Sequence, residues 1–486
     1  LKPFWLEVLT PHRYCTCLSF IILPHMVPGC PSPSRAHSVQ ACHVLLATAL
    51  CLLPGKAIRI RDPSAIAEAD ADVDLSEITF PTSCYTEQMG FDEFCRTFGR
   101  TYQPGSAEYH FRKGLFELHT VAAQMQNCKL GSKWTAGVNK HADWTEDELA
   151  SLRGYKRSSR SRRQSQSVVP GSSFLLGRRV QTSVRRASSS ASADLPESVS
   201  WHHLASIQAE RDQGQCGSCW AHTAETVMRA HSEIHVAKQN FSVDELISCV
   251  PNPQECGGQG GCLGATIELA FDYVMRHGLS LEQEGSESLD EVACPAPKLE
   301  DFVAPVHEVF LEDGREVHML GDGSQDGNHA GTRINMFGWT KLPENKEEPM
   351  LRALVELGPL AVAVAAGWQW NLYKAGIMAV EDSCQDQVIT HAVVLFGYGS
   401  EDGTKYWHLK NSWGSWWGED GFIRLQRMDK EEEHCAWDNK PEVGTGCLGG
   451  PPQVWVCGAC GILYDAAVPH FRPLDIPREA HSQDMW

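Results

Sequence analysis

No stretch of the 486 residues is apolar for the ~20 positions that a helix needs to span a bilayer. The apolar run VLLATALCLL, Val44 to Leu53, is about half that length. With Arg35 before it and Pro54-Gly55 after it, the run fits the core of a signal peptide and implies a secretory route. Basic residues are also scarce, with 42 Lys and Arg against 61 Asp and Glu and a net charge of −19. The deficit is uneven, because Ala150 to Ala193 carries ten Lys/Arg and no acid, which leaves −29 on the remainder. So acidic a body excludes nucleic acid or an anionic membrane as the main partner, and it suits an acidic compartment where carboxylates begin to protonate. No collagen-like repeat or wholesale disorder is present, and 42% hydrophobic content over this length allows two or three domains with real cores. Cysteine is not lacking. Nineteen are too many for a reducing cytosol.

The stretch with most chemistry is QGQCGSCWAHTAETVMRAHSEIH, Gln213 to His235. Trp220, Ala224, Val227, His231 and Ile234 alternate steps of four and three, the pattern of a helix buried along one face. Cys219 stands at its start, where unpaired N–H groups and the positive end of the helix dipole favour thiolate. Gly217-Ser218 allows a sharp turn there, and Gln213 offers an amide donor for an oxyanion. A nucleophile needs a base and something to orient that base. THAVVLFGYG supplies His391 ahead of a strand-like run, and KNSWGSWWG supplies Asn411 between another strand-like run and an aromatic-glycine loop. Two rival readings, a redox pair at Cys216-x-x-Cys219 and a zinc site drawing on Cys457-x-x-Cys460, leave Gln213, His391 and Asn411 unexplained.

In order, context and separation these three motifs resemble the papain-like cysteine proteases, of cathepsin L type, over about Leu195 to Pro469. The resemblance implies an α+β fold of two lobes, helical on the left and strand-rich on the right, with a small helical propeptide domain ahead of it. It implies Cys219 as nucleophile, His391 as its imidazolium partner, Asn411 as orienter, Gln213 as oxyanion donor and Trp413 as a shield over the His391–Asn411 hydrogen bond. Gly264 and Ala265, the latter in place of the usual glycine, would bind the substrate main chain. Thr266, Ile267, Thr390, Ala392 and Asp465 would line the pocket for the second residue before the scissile bond, and Trp417 would flank the leaving group. Asp465 at the pocket floor suggests that a basic side chain is accepted there. Eleven cysteines fall in this part, so setting Cys219 aside leaves an even ten. The resemblance pairs Cys216 with Cys262, Cys249 with Cys294, and Cys384 with Cys460. Cys256, Cys435, Cys447 and Cys457 keep three possible connectivities.

The implied partners are protein and peptide substrates, the chain's own propeptide and cystatin-like inhibitors, for a monomer with no nucleic acid, no stable membrane association, no cofactor and no metal. The implied activity is that of an endopeptidase, since no long insertion of the kind that blocks one end of the cleft stands out. A catalytically silent binding or storage protein is the alternative, which the intact motif residues disfavour. The destination is a lysosome, a vacuole or the exterior.

Taken in order, the chain opens on Leu1, so Met26 is read as the first candidate initiator, and residues 1–57 form a leader. Residues 85–157 make the propeptide unit. Phe91, Phe94, Phe98 and Tyr102 recur at helical spacing, and after Pro104-Gly105 a second helix is expected from Ala107 to Asn127. That helix carries Glu108, Arg112, Phe116, His119, Ala123 and Asn127, resembling the ERFNIN signature of papain-family propeptides. GVNKHAD (Gly137, Asn139, His141, Asp143) resembles their GNFD motif. The two histidines suggest loosening by protonation near pH 6. Residues 158–193, basic and serine-rich, read as a disordered linker open to cleavage, leaving 194–486 as the peptidase domain. Ser242 to Glu245 reads as a capping box, and Asn240-Phe241-Ser242 as a glycosylation sequon. His222 stands where an aromatic residue is usual, free either to lower the thiol pKa or to pack. Cys294 to Ile334 is longer than in most relatives. Within it Asp322, Ser324, Asp326 and Gly327 resemble an EF-hand start, with Arg333 where the closing Glu belongs, so a surface loop is expected.

Overall fold

The computed structural model describes residues 48–53, 56–61, 89–154, 195–282, 294, 306–320, 334–384, 387–430 and 433–472. The linker, the cleavage region near Asp194 and the EF-hand-like residues lie outside them. The first unit, residues 1–79, contributes one antiparallel pair, Thr48–Leu53 with Lys56–Arg61, so the end of the apolar run is strand here.

In the second unit the residues read above as a propeptide form two helices, Phe91–Thr97 and Ala107–Asn127, a strand Trp134–Ala136 and a short helix Glu146–Ser151. The long helix has the expected bounds, with Ser106 Oγ accepting the Tyr109 N–H at its start. Phe91, Phe94 and Phe116 form a small core of their own, while the first helix stops before Phe98 and Tyr102. Each motif residue on the long helix has a distinct fate. Glu108 faces solvent in the first turn. Arg112 holds both oxygens of Glu148 at 2.6 and 2.9 Å and also donates to the Asp143 carbonyl. His119 donates to the Gly137 carbonyl at 3.1 Å, Ala123 is buried, and Asn127 pairs with both the N–H and C=O of Ala136. Asp143 is buried under Arg100 and Tyr102.

The main sheet runs in space through Trp134–Ala136, Tyr373–Met378, Phe422–Gln426, Thr404–Lys410, His391–Glu401, Leu360–Val364, Ala466–Phe471, Met336–Lys341, Glu316–Leu320 and Val306–Phe310. Val199–Ser200 pairs with the His391 strand at Gly397 and Tyr398. The pairs are antiparallel except that of Phe422–Gln426 with Tyr373–Met378. The propeptide thus lends the sheet its edge strand, Trp134 opposite Gly376. The long segment after Cys294 supplies the opposite edge as a hairpin, Val306–Phe310 with Glu316–Leu320.

Two further cores follow the expected lobes. One lies on the strand-rich side around Leu395, Trp407, Leu409 and Ile462. The other packs helices Cys219–His235, Val243–Cys249 and Ile267–His277 against Ala392, Val394 and Phe396 of the sheet. This sandwiching corrects the expectation of a one-faced helix, because Cys219 through Ser232 is buried almost all round, His222 excepted. The polar residues Glu225 and Arg211 enter that interior as an ion pair at 2.8 Å. The capping box is half formed. Ser242 Oγ accepts the Glu245 N–H, but the Glu245 carboxylate turns to Tyr273 and Ser280 instead. Asn240 of the sequon is exposed.

Candidate active site

The turn before Cys219 is pinned by the Cys216–Cys262 disulfide, with the Gly217 N–H donating to the Cys262 carbonyl at 3.0 Å. A side chain at Gly217 would strike that carbonyl, so the approach needs glycine. Cys219 opens its helix, where the backbone N–H groups of Ala392, Trp220 and its own residue favour an ionised sulfur. His391 opens its strand beside it. His391 Nε2 donates to Asn411 Oδ1 at 2.8 Å, which leaves Nδ1 without a hydrogen-bond partner and open to accept or deliver a proton. Trp413 packs 5.0 Å from the imidazole, ring to ring. Asn411 Oδ1 also takes the Ser412 N–H, and Ser412 Oγ donates to Gln213 Oε1 at 2.6 Å. Ser412 therefore sets the orientation of both amides, a role with no signal in the sequence beyond its adjacency to Asn411.

The propeptide lies directly on this group. Gln213 Nε2 donates to the Leu152 carbonyl at 2.9 Å and to Cys216 at 2.8 Å. The next residue but one, Gly154, adopts φ +66°, and a Cβ there would lie 3.6 Å from the Cys219 sulfur and 3.7 Å from the Thr390 carbonyl. Any larger residue at 154 would meet both strain and the nucleophile. Neither Leu152 nor Gly154 belongs to a motif, which is why sequence reasoning passed over them. Burial pushes the Cys219 thiol up to about 11, against the pull of the N–H of Ala392, and draws His391 down to about 4 against its bond to Asn411. With this segment in place burial outweighs the pull of the helix end on the thiol, the opposite of the direction expected from the dipole alone. His222 is likewise pushed down to about 3 by burial, with Arg211 adding to it, so it packs as a neutral ring.

Burial governs the two histidines of this segment as well. His119 is drawn by burial down to about 4, and His141 falls well below its usual range from burial and then from Lys140. Neither takes a proton in place near pH 6. His141 packs against Trp144 and, edge-on at 6.2 Å, against Trp413. Asn139 donates to the Asn371 carbonyl at 2.6 Å, and the Gly137 N–H donates to Leu372 at 2.9 Å.

One pocket gathers Cys219, His391, Ala265, Thr266, Ile267, Thr390, Ala392 and Asp465. Gly264 stands beside it, packed against the Gly154 carbonyl. Trp417 is fully buried, donating to the Trp370 carbonyl at 2.7 Å, whereas its exposed neighbour Trp416 meets propeptide Phe98 at 5.5 Å. Val443, Gly444, Thr445 and Gly257 also line the pocket. Asp465 is not the free acceptor expected at the floor. Its carboxylate pairs with Lys341 at 3.2 Å, and Lys341 also reaches Glu268 at 3.4 Å. Burial, then Glu268, raises Asp465 to about 7. Two acids share one base there. Ten cysteines form five bridges, the three expected ones together with Cys256–Cys447 and Cys435–Cys457. Among the described residues no cluster of His, Cys, Asp or Glu is arranged to hold a metal ion, and no helix is long and apolar enough to cross a membrane.

Comparison with known proteins points to one family and one fold. A family model described as papain family cysteine protease matches residues 195–445. Cathepsin L of Sarcophaga peregrina is 27% identical over 332 residues, covering 67% of this chain and 84% of that one. The senescence-specific cysteine protease SAG39 of Oryza sativa subsp. japonica is 28% identical, covering 72% and 87%. In fold, the chain resembles digestive procathepsin L2 proteinase from Tenebrio molitor larval midgut, with a TM-score of 0.53 at 23% identity over 78% of this chain and 98% of the other.

Proposed function

The chain belongs to the papain family of cysteine proteases, and from that premise we propose that it is a secretory-pathway zymogen of an endopeptidase with Cys219 and His391 as its reacting pair. Once the propeptide leaves, water and the open cleft remove the desolvation that keeps Cys219 and His391 neutral, and the proton moves from sulfur to Nδ1. The thiolate attacks the scissile carbonyl carbon, and the oxyanion takes the Gln213 Nε2 donor that Leu152 now occupies. His391 gives its proton to the leaving amine, forming the acyl-enzyme. Water then attacks with His391 as base, releasing the acid and restoring the thiolate. Asn411 and Ser412 hold the ring and the amide in register, and Trp413 keeps water off the Nε2–Asn411 bond.

The observation that carries this reading is the Leu152 carbonyl on the Gln213 amide, with Gly154 over the sulfur. A carbonyl held on that donor is what an inhibitory segment would present. Acid-treated wild-type protein and Cys219→Ser are compared on a fluorogenic peptide. Turnover by the wild type alone supports the reading, and none by either supports a silent papain-fold binding protein.

A further inference from the structure

Residues 433–458 leave the strand-rich lobe and cross to the helical one beside the pocket. On the strand side, Asp438 accepts the Ile389 N–H at 3.1 Å. Gly444 presses so closely on the Ile389 carbonyl that a Cβ there would strike its oxygen. On the helical side, the Gly257 N–H donates to the Gly446 carbonyl at 2.8 Å and the Leu448 N–H to the Gln254 carbonyl at 2.8 Å. The Cys256–Cys447 disulfide closes the seam. The root of the arm is stapled by Cys435–Cys457 and by pairing of Ala436–Asp438 with Val454–Val456. Gly257 packs on the Ala265 backbone, which the reading above assigns to the substrate main chain, and a Cβ on it would lie 3.0 Å from the Ala265 carbonyl. The two walls of the cleft are therefore tied covalently, at the end where an extended substrate would pass beyond the pocket.

We propose that this strap ends the substrate groove at the pocket for the second residue before the scissile bond, so that residues further upstream pass over the strap without a subsite. Val443, Gly444 and Thr445 then fix the pocket's outer wall, and Cys256–Cys447 is a specificity-determining bridge. An extended chain advances about 3.3 Å per residue, so the third residue would fall where Gly257 and Gly444 already meet. The inference rests on the assignment of Cys219 and His391 as the reacting pair.

The acid-processed enzyme is assayed on fluorogenic peptides with the same last two residues, lengthened from two to four. The expected kcat/KM changes by less than about twofold on lengthening, and Cys256→Ser with Cys447→Ser restores a gain of about tenfold for the longer peptide. A wild-type gain of about tenfold or more overturns the proposal, whether or not the variant folds. So does a variant that is labelled at Cys219 by a thiol-directed epoxide yet shows the flat wild-type profile. Loss of turnover at every length overturns the proteolytic reading and the strap's role with it, and is told apart because no peptide is cleaved.

Discussion

Replacing His119 with Asn should make the propeptide less sensitive to acid. Burial holds His119 down to about 4 in the docked propeptide, whereas a free imidazole titrates near 6.5. Above the free value both forms are neutral and docking is at full strength. As pH falls below it, the released propeptide binds a proton that the docked one refuses, so docking weakens with each step until pH reaches about 4. At pH 5 the loss from His119 alone is about 30-fold, or ~2 kcal/mol. His141 acts in the same direction, with Lys140 and Arg100 opposing its charge, while Asp143 near His119 works mildly the other way. Both ring nitrogens of His141 lack a partner, so His141→Phe removes a buried unsatisfied donor and should tighten docking by ~1 kcal/mol even at neutral pH. Asn at 119 keeps a donor for the Gly137 carbonyl without the titration. The assay is the rate of self-processing of the full chain at pH 7 and at pH 5, taken as a ratio of variant to wild type so that the intrinsic pH profile of the protease cancels. The ratio for His119→Asn should fall by about 20-fold from pH 7 to pH 5. An unchanged ratio refutes the linkage and leaves these histidines as packing.

Gln213→Ala should lower kcat by about 100-fold or more with little change in KM, measured on a short peptide after processing. Arg112→Ala strips Glu148 of its bidentate partner and Asp143 of a donor to its carbonyl, and should cost ~2 kcal/mol of propeptide stability, read as a lower thermal midpoint of the uncleaved chain. At the pocket floor, Asp465 is neutral in acid, where Lys341 and Glu268 balance, and ionises as pH rises through about 7. Preference for Arg over Leu at the second position should therefore rise across that range, and Asp465→Ala should abolish the rise.

Much of this architecture was legible because periodicity and capping act locally. The Ala107–Asn127 helix begins at a serine cap and carries its apolar residues at helical steps, so its bounds could be read directly. The strands at His391 and Thr404 announced themselves as β-branched or aromatic runs. What escaped were contacts made across long sequence separations. The all-round burial of the Cys219 helix depends on the sheet lying against it, and the carbonyl on Gln213 comes from an unremarkable Leu152. The Lys341 that pairs with Asp465 sits on a strand far upstream of it, and nothing in spacing chose Cys256–Cys447 over the other pairings. The burial that raises the thiol escaped for the same reason, since the helix end is visible in sequence and the glycine lying over it is not.

The central claim is that one segment keeps Cys219 both covered and uncharged until it is displaced. Labelling of Cys219 by a thiol-directed epoxide, followed by mass spectrometry across pH 4 to 8, measures this in the uncleaved and the acid-processed chain. The account predicts no adduct at Cys219 before processing and one equivalent after it, with the processed enzyme reacting well below the usual thiol range. Equal labelling of the two forms, or an adduct that forms elsewhere while Cys219 stays unmodified, would contradict it.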